Sequence, residues 1–545
     1  MKFKKRHLYL LSVLSGLLLA FGWPVNGIPL LLFAGFVPLL FIEDHIYYNK
    51  ECYSRYSFFW YSYISMFIWN LFSTYWIYYS SGFGVTMAVV INSLFMAVIL
   101  SFFHYTRTIL KHNSAYLTFI IYWLSFEFLH LHWELSWPWL NLGNGFSNYP
   151  SWIQWYEYTG SLGGSLWVLI VNYMVFRSVK MFLNKEKTFK SRSLYAAACG
   201  DLVLVPIIIS LFIYYNHEDK GPKVSVVAVQ PNIDPYNEKF GGMTSEEQLA
   251  KLLKLARLKT DDKTDLLVGP ETAIPEGVWE DKLDDSRSVD SLKIFLKSHP
   301  NLNILIGLSS YKMFKPGEKV SATARRYPYD NGLYDAYNAA MLLDTSDKVQ
   351  LYHKSILVPG VERMPFQKFL KPLEKFALDM GGINGSLGVQ DERTVFYSAD
   401  QKIKAAPVIC YESIYGEYVG EYITNGANII CVITNDGWWE DTPGYRIHFN
   451  YASLRAIETR RSIVQSANTG ISGFINQRGE VQQMTGWWKG DVIKQDVMLN
   501  DKITFYVKYG DYIARTATYM SIIMLLYSFY LSVVKRIKRK YLPED

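Results

Sequence analysis

The chain has 545 residues, half of them apolar and 16% aromatic, and carries a net charge of +6 at pH 7. That length is more than one domain and that apolarity excludes a wholly water-borne protein, so a membrane part and a soluble part are predicted. The positive balance requires no nucleic-acid partner, because nineteen basic residues flank apolar stretches, where membrane topology accounts for them.

Seven apolar stretches fill the first 215 residues, near 7–23, 27–43, 57–80, 85–104, 115–131, 163–182 and 195–215, and an eighth lies at 517–534. Most approach the roughly 20 residues that a helix needs to cross hydrocarbon. KFKKRH before the first resembles the start of a signal peptide, but FGWPVNG follows in place of a small-residue cleavage site, so an uncleaved anchor is expected. Lysines and arginines follow the second, fourth, sixth and eighth stretches, whereas the segments 24–26, 81–84 and 132–162 carry none. By the positive-inside rule both termini are expected on the cytoplasmic side and residues 216–516 on the outer side. The expected organisation is a membrane domain over 1–215, an extracytoplasmic domain over 216–516, and an eighth span with a basic tail over 517–545. Glu127 is an ionisable residue within a span, a functional candidate by default, but its place near the outer end predicts access to water and keeps it out of the site. The aromatic run from Trp133 to Tyr158 is expected at the outer interface.

The outer segment reads as alternating strands and helices. Strands are predicted at 224–232, 265–269, 303–310, 337–344, 349–355, 405–411, 427–436 and 462–468. Thr244 and Glu247 form a capping box before a helical run, and 445–461 reads as an amphipathic helix. The region 312–334 reads as an exposed basic insertion. Together these predict a layered α/β sandwich with functional residues at strand ends.

Three residues at such ends can run thiol-based acyl chemistry: Glu271 in VGPETAIPE, Lys354 in LYHKS and Cys410 in PVICYES. A carboxylate can take the thiol proton, an ammonium can stabilise an oxyanion, and sulfur is the strongest neutral-pH nucleophile among side chains. Each alone also has an ordinary reading, respectively a turn acid, a solvated edge lysine and a small buried hydrophobe. His353 offers a Cys/His alternative, yet strand side chains alternate faces, so His353 and Lys354 cannot both meet one thiol. The four cysteines, Cys52, Cys199, Cys410 and Cys431, show no metal spacing. A Cys410–Cys431 disulfide would abolish the thiol chemistry, and both residues read as interior strand positions, which argues against it.

Across 224–495 the order of QPNI (Gln230 to Ile233), the PET loop at Glu271, Lys354 with Glu362 eight positions on, CYES at Cys410 and TNDGWW at 434–439 resembles the nitrilase superfamily. That resemblance implies an αββα sandwich with Glu271 as general base, Lys354 as oxyanion stabiliser, Cys410 as nucleophile and His353 as bystander. The membrane frame, with FGWP (21–24), SWPWLNLG (136–143), GSLGGS (160–165) and YVKYGDY (506–512), resembles the apolipoprotein N-acyltransferase family. The resemblance implies a multi-span helical membrane domain plus a nitrilase-like α/β extracytoplasmic domain. It further implies transfer of an acyl chain from a phospholipid, of the phosphatidylethanolamine type, through a Cys410 thioester to the α-amino group of a diacylglyceryl-cysteine apolipoprotein. Neither cofactor nor metal is implied, the protein is expected to act as a monomer, and the location implied is a bacterial inner membrane with the catalytic domain in the periplasm. By the same resemblance Asn338, Glu362, Tyr411 and Glu412 line or support the site, and Trp438 is an aromatic near its mouth. The loop LVPGVERMPF around Glu362 departs from the family's pattern. Two other readings stay open on the residues: a membrane-tethered nitrilase-like hydrolase with water as acceptor, and a transporter with an outer binding domain, against which stands the lack of paired broken spans.

Overall fold

The computed structural model describes residues 3–239, 241–329, 332–346, 348–366 and 386–541. Two compact units result, one of Met1–Tyr78, Gly82–Tyr215 and Tyr509–Asp545, the other of Tyr79–Ser81 and Asn216–Lys508.

The first unit is helical. Among the described residues six segments are long and apolar enough to cross a membrane: Pro29–Tyr48, Gly84–Leu110, Ser114–Leu131, Tyr156–Leu183, Phe189–Asn216 and Phe505–Lys538. The other two predicted stretches are also helices, Lys5–Phe21 with only 17 residues and Ser57–Thr74, whose Ser, Tyr and Asn dilute its apolarity. The second stretch is not one regular helix. Pro29–Ala34 forms a 3-10 turn, and Pro38 sits at the start of the helix Val37–Tyr48, where its missing N–H costs nothing. Close approach replaces bulk where SWPWLNLG meets GSLGGS: a Cβ on Gly143 would fall 1.7 Å from the Ser161 carbonyl oxygen, and Tyr156 donates its hydroxyl to the Gly143 carbonyl at 2.8 Å.

One sequence expectation for this unit changes. Glu127 does not reach water; it is 2% exposed, accepting hydrogen bonds from the Trp123 indole at 3.0 Å and the Leu142 amide at 2.9 Å. Its carboxylate thus satisfies a backbone donor where a helix has ended. Within the aromatic run, Trp139 and Tyr156 turn into the packed interior, while Trp133 and Tyr158 remain exposed.

The second unit is a sandwich of two sheets. The first carries β1 (Lys223–Gln230), β2 (Leu266–Val268), β4 (Asn303–Met313), β6 (Leu333–Leu343), β5 (Arg325–Arg326) and β14 (Asp491–Met498) in the order β14-β1-β2-β4-β6-β5, with β3 (Ile274–Trp279) on β4 and β7 (Gln350–His353) on β6. The second runs β13-β12-β11-β10-β9-β8, from Val481–Met484, Gly473–Ile475, Ile463–Ala467, Ile429–Thr434, Lys404–Ile409 and Phe396–Tyr397. Strands β1, β2 and β4 are parallel and read as unbroken apolar runs because both faces are covered. On one face the helices Ser245–Ala256 and Arg287–Lys297 press Leu249, Leu252, Leu253, Val289, Leu292 and Phe295 against Val227, Val229, Leu267, Ile304 and Ile306. On the other, β1 packs against β11 and β6 against β9, and Ser466 donates to the Val229 carbonyl at 2.7 Å. The helices Gly416–Thr424 and Pro443–Thr459 cover the second sheet, giving the αββα order.

The capping box forms as read, Thr244 and Glu247 each satisfying the other's backbone amide. The helix Pro443–Thr459 is not amphipathic: all of it but Pro443, Arg446 and Asn450 is buried, with Arg455 and Glu458 paired inside. No described residue of 312–334 is buried, as the reading of an exposed insertion predicted, but its two ends are strand. The antiparallel ladder between β4 and β6 continues to Met313 opposite Tyr334, and β5 pairs beside it. Strands β3, β5, β8, β12, β13 and β14 lay outside the sequence reading; β14, DVIKQDVM, hides its alternation behind charged residues.

Candidate active site

Glu271 leaves the sheet just after β2, in the turn that follows Pro270. That turn lies on Gly307 of β4, whose amide donates to the Pro270 carbonyl at 3.1 Å. A Cβ on Gly307 would stand 2.6 Å from the Thr272 nitrogen and 2.8 Å from the Glu271 Cα, so only glycine lets the acid loop lie this close. Lys354 follows β7, with its amide bonded to the Asn338 carbonyl of β6 at 2.8 Å, and the two side chains emerge on the same face. The Lys354 ammonium bridges Glu271 Oε1 at 3.1 Å and Glu362 Oε1 at 2.9 Å. The Asn338 amide bridges the same two oxygens at 2.8 and 3.2 Å. Glu362 is fixed in turn by the Val358 amide on Oε2 at 2.8 Å, so the departing loop keeps the glutamate at the site.

His353 points the other way, as alternation requires. It bonds Glu280 at 2.6 Å and stacks on Tyr337 with ring centroids 3.8 Å apart.

Cys410 corrects the sequence reading of an interior strand position. Strand β9 ends at Ile409, and Cys410 opens the 3-10 turn Cys410–Ile414 with φ of +50°. A non-glycine residue in the left-handed region needs surrounding contacts to hold it. They are present: the Cys410 carbonyl accepts from Ser413 Oγ at 2.7 Å and from His448 Nε2 at 3.1 Å, and His448 Nδ1 bonds Asp436 at 2.9 Å. Burial works against a charge on this imidazole, but Asp436 raises the His448 pKa above its ordinary value, and Ser413 Oγ lies 2.9 Å from Nε2 as a second partner there. Cys410 is half-buried, and among the described cysteines none is paired.

Glu412 and Tyr411 lie behind this turn. The fully buried Glu412 carboxylate accepts from Tyr352 at 2.7 Å, Tyr418 at 2.5 Å, the Ser355 amide at 2.7 Å and the Ile409 amide at 2.9 Å. It thereby ties the residue after Lys354 to the residue before Cys410. Tyr411 is buried edge-on to Tyr415, and Trp438, half-exposed in the turn Asp436–Trp439, packs edge-on against Tyr236. Gln230 of the QPNI segment serves structure: its amide donates to the Gly486 and Lys489 carbonyls and its oxygen accepts from Ser472 and Thr485.

The electrostatics set the resting state. Burial would raise the Glu271 carboxyl, but Lys354, the Asn338 amide and Lys239 outweigh it and hold it below the ordinary carboxylate range. Burial would lower the Lys354 ammonium, and Glu271 and Glu362 push it well above its ordinary value. Burial, then the charge of Glu271, raises the Cys410 thiol well above its usual value, against the pull of Lys354. The resting set is therefore ionised Glu271, charged Lys354 and a protonated thiol. Such a set can deliver sulfur to an acyl carbon only with simultaneous proton transfer to a base.

Sequence reasoning missed Lys239, Asp436 and His448. Asp436 lay in the TNDGWW segment and His448 in a helix already read, but the twelve-residue gap between them gives no periodic signal. Cys410 Sγ, an Asp436 oxygen and a His448 nitrogen lie within 4.8 Å of one another, yet both imidazole nitrogens are already bonded, which does not suit a metal.

Residues 15–174 match the family described as apolipoprotein N-acyltransferase N-terminal domain, and residues 225–504 match carbon-nitrogen hydrolase. The chain is 32% identical over 92% of its length to an apolipoprotein N-acyltransferase of Chlorobaculum tepidum, covering 93% of that protein. It is 27% identical over 93% of its length to one from Geobacter metallireducens, covering 92%. It is also 26% identical over 97% of its length to apolipoprotein N-acyltransferase 1 of Treponema denticola, covering 97%.

Proposed function

We propose a mechanism that starts from one premise: the chain belongs to the apolipoprotein N-acyltransferase family. It is a multi-pass membrane acyltransferase that N-acylates lipoproteins, and the water-accepting hydrolase is not favoured. In our reading Cys410 is the nucleophile, Glu271 the general base and Lys354 the oxyanion stabiliser. The observation that carries it is the Lys354 ammonium held between Glu271 and Glu362, beside a thiol that burial keeps protonated.

In the first half, the Cys410 sulfur adds to a phospholipid ester carbon as its proton passes to Glu271, and the oxyanion is stabilised by Lys354. The tetrahedral adduct collapses, the ester C–O bond breaks, and the departing lysophospholipid oxygen takes the proton from Glu271. In the second half the neutral α-amine of a diacylated apolipoprotein attacks the thioester and loses a proton to Glu271. The C–S bond breaks, the amide is left on the lipoprotein, and the thiolate regains the proton. This is ping-pong chemistry.

Asn338 and Glu362 act through Lys354 and Glu271, holding both in register. Glu412 positions the nucleophile turn, Tyr411 packs beside it, and Trp438 stands at the mouth. The donor is a phospholipid of the phosphatidylethanolamine type, the protein acts as a monomer without a cofactor, and the membrane is the bacterial inner membrane. The distribution of Lys and Arg supports a periplasmic catalytic segment over 216–516, between a membrane domain over 1–215 and a last span and tail over 517–545.

Incubation of the full-length protein with phosphatidylethanolamine, followed by mass spectrometry, tests this directly. An acyl adduct on the Cys410 peptide, discharged by a diacylated lipopeptide, is the expected result. An adduct that water discharges at the same rate would make the protein a hydrolase.

A further inference from the structure

Lys239 stands behind the acid loop. It is 3% exposed, and its ammonium donates to the main-chain carbonyl of Glu271 at 3.1 Å. It comes from the segment between β1 and the helix Ser245–Ala256, where buried Gln248 of that helix donates to its carbonyl at 2.8 Å. A buried lysine is costly unless its charge is used. Burial lowers its pKa to about 8, with Glu271 and Cys410 acting in the opposite sense.

The charge count of the site gives that ammonium a role. Glu271 and Glu362 are two carboxylates, and both use the single Lys354 ammonium. Asp436 and His448 pair with each other at 2.9 Å and stand outside this count. With Lys239 the resting site is neutral; without it a carboxylate would be uncompensated. When sulfur adds to the acyl carbon, Glu271 becomes neutral and an oxyanion appears, so Lys354 must then serve the oxyanion and Glu362 together. A second cation keeps the site neutral in that state too.

Resting on the reading of Cys410 as the acylated nucleophile, we propose that Lys239 is a positioning residue of acyl transfer, anchoring the acid loop by the Glu271 carbonyl and supplying the charge that compensates the second carboxylate. It acts through Glu271 and Cys410 and does not touch substrate.

The groups whose charges bear on Cys410 are Glu271, Lys354, Asp436, His448 and Lys239, with Glu362 acting through Lys354. Removing the Lys239 charge should disfavour the thiolate. The test uses the full-length protein in detergent, with Lys239→Met and Lys239→Arg, each checked by thermal melting. Two quantities are read: single-turnover thioester formation from phosphatidylethanolamine at pH 7, and the rate of Cys410 alkylation by iodoacetamide from pH 6 to 7.5, below the pH at which Lys239 itself loses its charge. Lys239→Met should slow loading by on the order of 10-fold and move the alkylation curve up by roughly one pH unit, the scale of one nearby charge. Lys239→Arg should restore the curve. Slow loading with an unmoved curve would reduce Lys239 to a loop anchor and overturn the proposal, as would wild-type behaviour of Lys239→Met. If Lys239→Met does not fold, Lys239→Gln is read by the same criteria, and a folded Lys239→Arg with a shifted curve also overturns it. Alkylation needs no lipid, so an unmoved curve is distinguishable from a failure of the acyl-transfer reading, which would appear as absence of any adduct on wild-type Cys410.

Discussion

In the helical unit Glu43 and Asp44 share Arg107, with Lys180 on Asp44 alone; in the α/β unit Glu271 and Glu362 share Lys354, with Asn338 bridging the same oxygens. The first cluster joins three helices. Glu43 also meets His104 at 2.8 Å, Asp44 meets Lys180 at 2.7 Å and the Tyr116 hydroxyl at 2.7 Å, and Arg107 lies over the Tyr47 and Tyr116 rings. Charges in such segments are expensive and persist when paired. The second cluster spans strand ends and loops, and beside it stands a thiol on a backbone turn of positive φ. Similar parts thus lock helices together in one place and, in the other, hold an ammonium where an oxyanion can share it.

Glu271→Gln should separate the two clusters most sharply. In the proposed mechanism it removes the base, so thioester formation should fall by roughly 10³-fold, within the usual range for a general base. The melting temperature should fall with loss of the ion pair, but less than on truncating the side chain, because the Gln oxygen can still accept from Lys354 and Asn338. Normal loading by this variant would return His353 to consideration as the base.

Next comes Lys354→Met. One oxyanion donor is worth about 10²- to 10³-fold, and both halves pass through an oxyanion, so loading and transfer should fall together in single-turnover assays. Glu362→Gln should show a weaker loss in both halves, since Glu362 orients Lys354. Normal loading with blocked transfer would instead place Glu362 in the path of the lipoprotein amine.

Arg107→Met inverts the pattern. Among the described residues it leaves Glu43 with only the His104 imidazole and Asp44 with Lys180, and should cost about 3–5 kcal/mol of stability, while the loading rate per folded molecule stays near wild type. A loss of rate at unchanged stability would show that the helical cluster takes part in the chemistry.

The smallest effect is in the pH profile. The Cys410 pKa is raised, so its alkylation by iodoacetamide should still be climbing above pH 9; a plateau near pH 7 would mean a preformed thiolate. The Glu271 pKa is depressed, so its ion pair stabilises the fold above the ordinary carboxylate pKa and fails only as pH falls through the lower folded value. That of Lys354 is raised, so its contribution is complete below the ordinary lysine pKa and is lost only at higher pH. The Glu271–Lys354 pair therefore stays intact across the alkylation range, and the rise in rate well above pH 8, where Lys239 has lost its charge, reports the thiol.

Much of the site was legible because its parts sit at ends of apolar runs. The alternation of His353 and Lys354 followed from the pleat alone. The conformation of Cys410 was not legible, because a left-handed residue after a strand is fixed by Ser413 and His448, a distant partner. Lys239 was invisible for the same reason, being one lysine in a polar segment until the acid loop folds onto it. Glu127 misled because position along a helix says nothing of which way the carboxylate turns. The helix Pro443–Thr459 misled because its polar residues, Arg455 and Glu458, satisfy each other inside.

Strands β1 and β14 lie side by side and antiparallel, Lys223 opposite Met498 and Gln230 opposite Asp491. The α/β unit therefore begins and ends on neighbouring strands, its first and last segments zipped by one ladder. A unit closed in this way needs no covalent continuation to define its edges. The start of β1 and the end of β14 are thus neighbours that a short linker could join, which makes this unit a candidate for circular permutation in a surface loop.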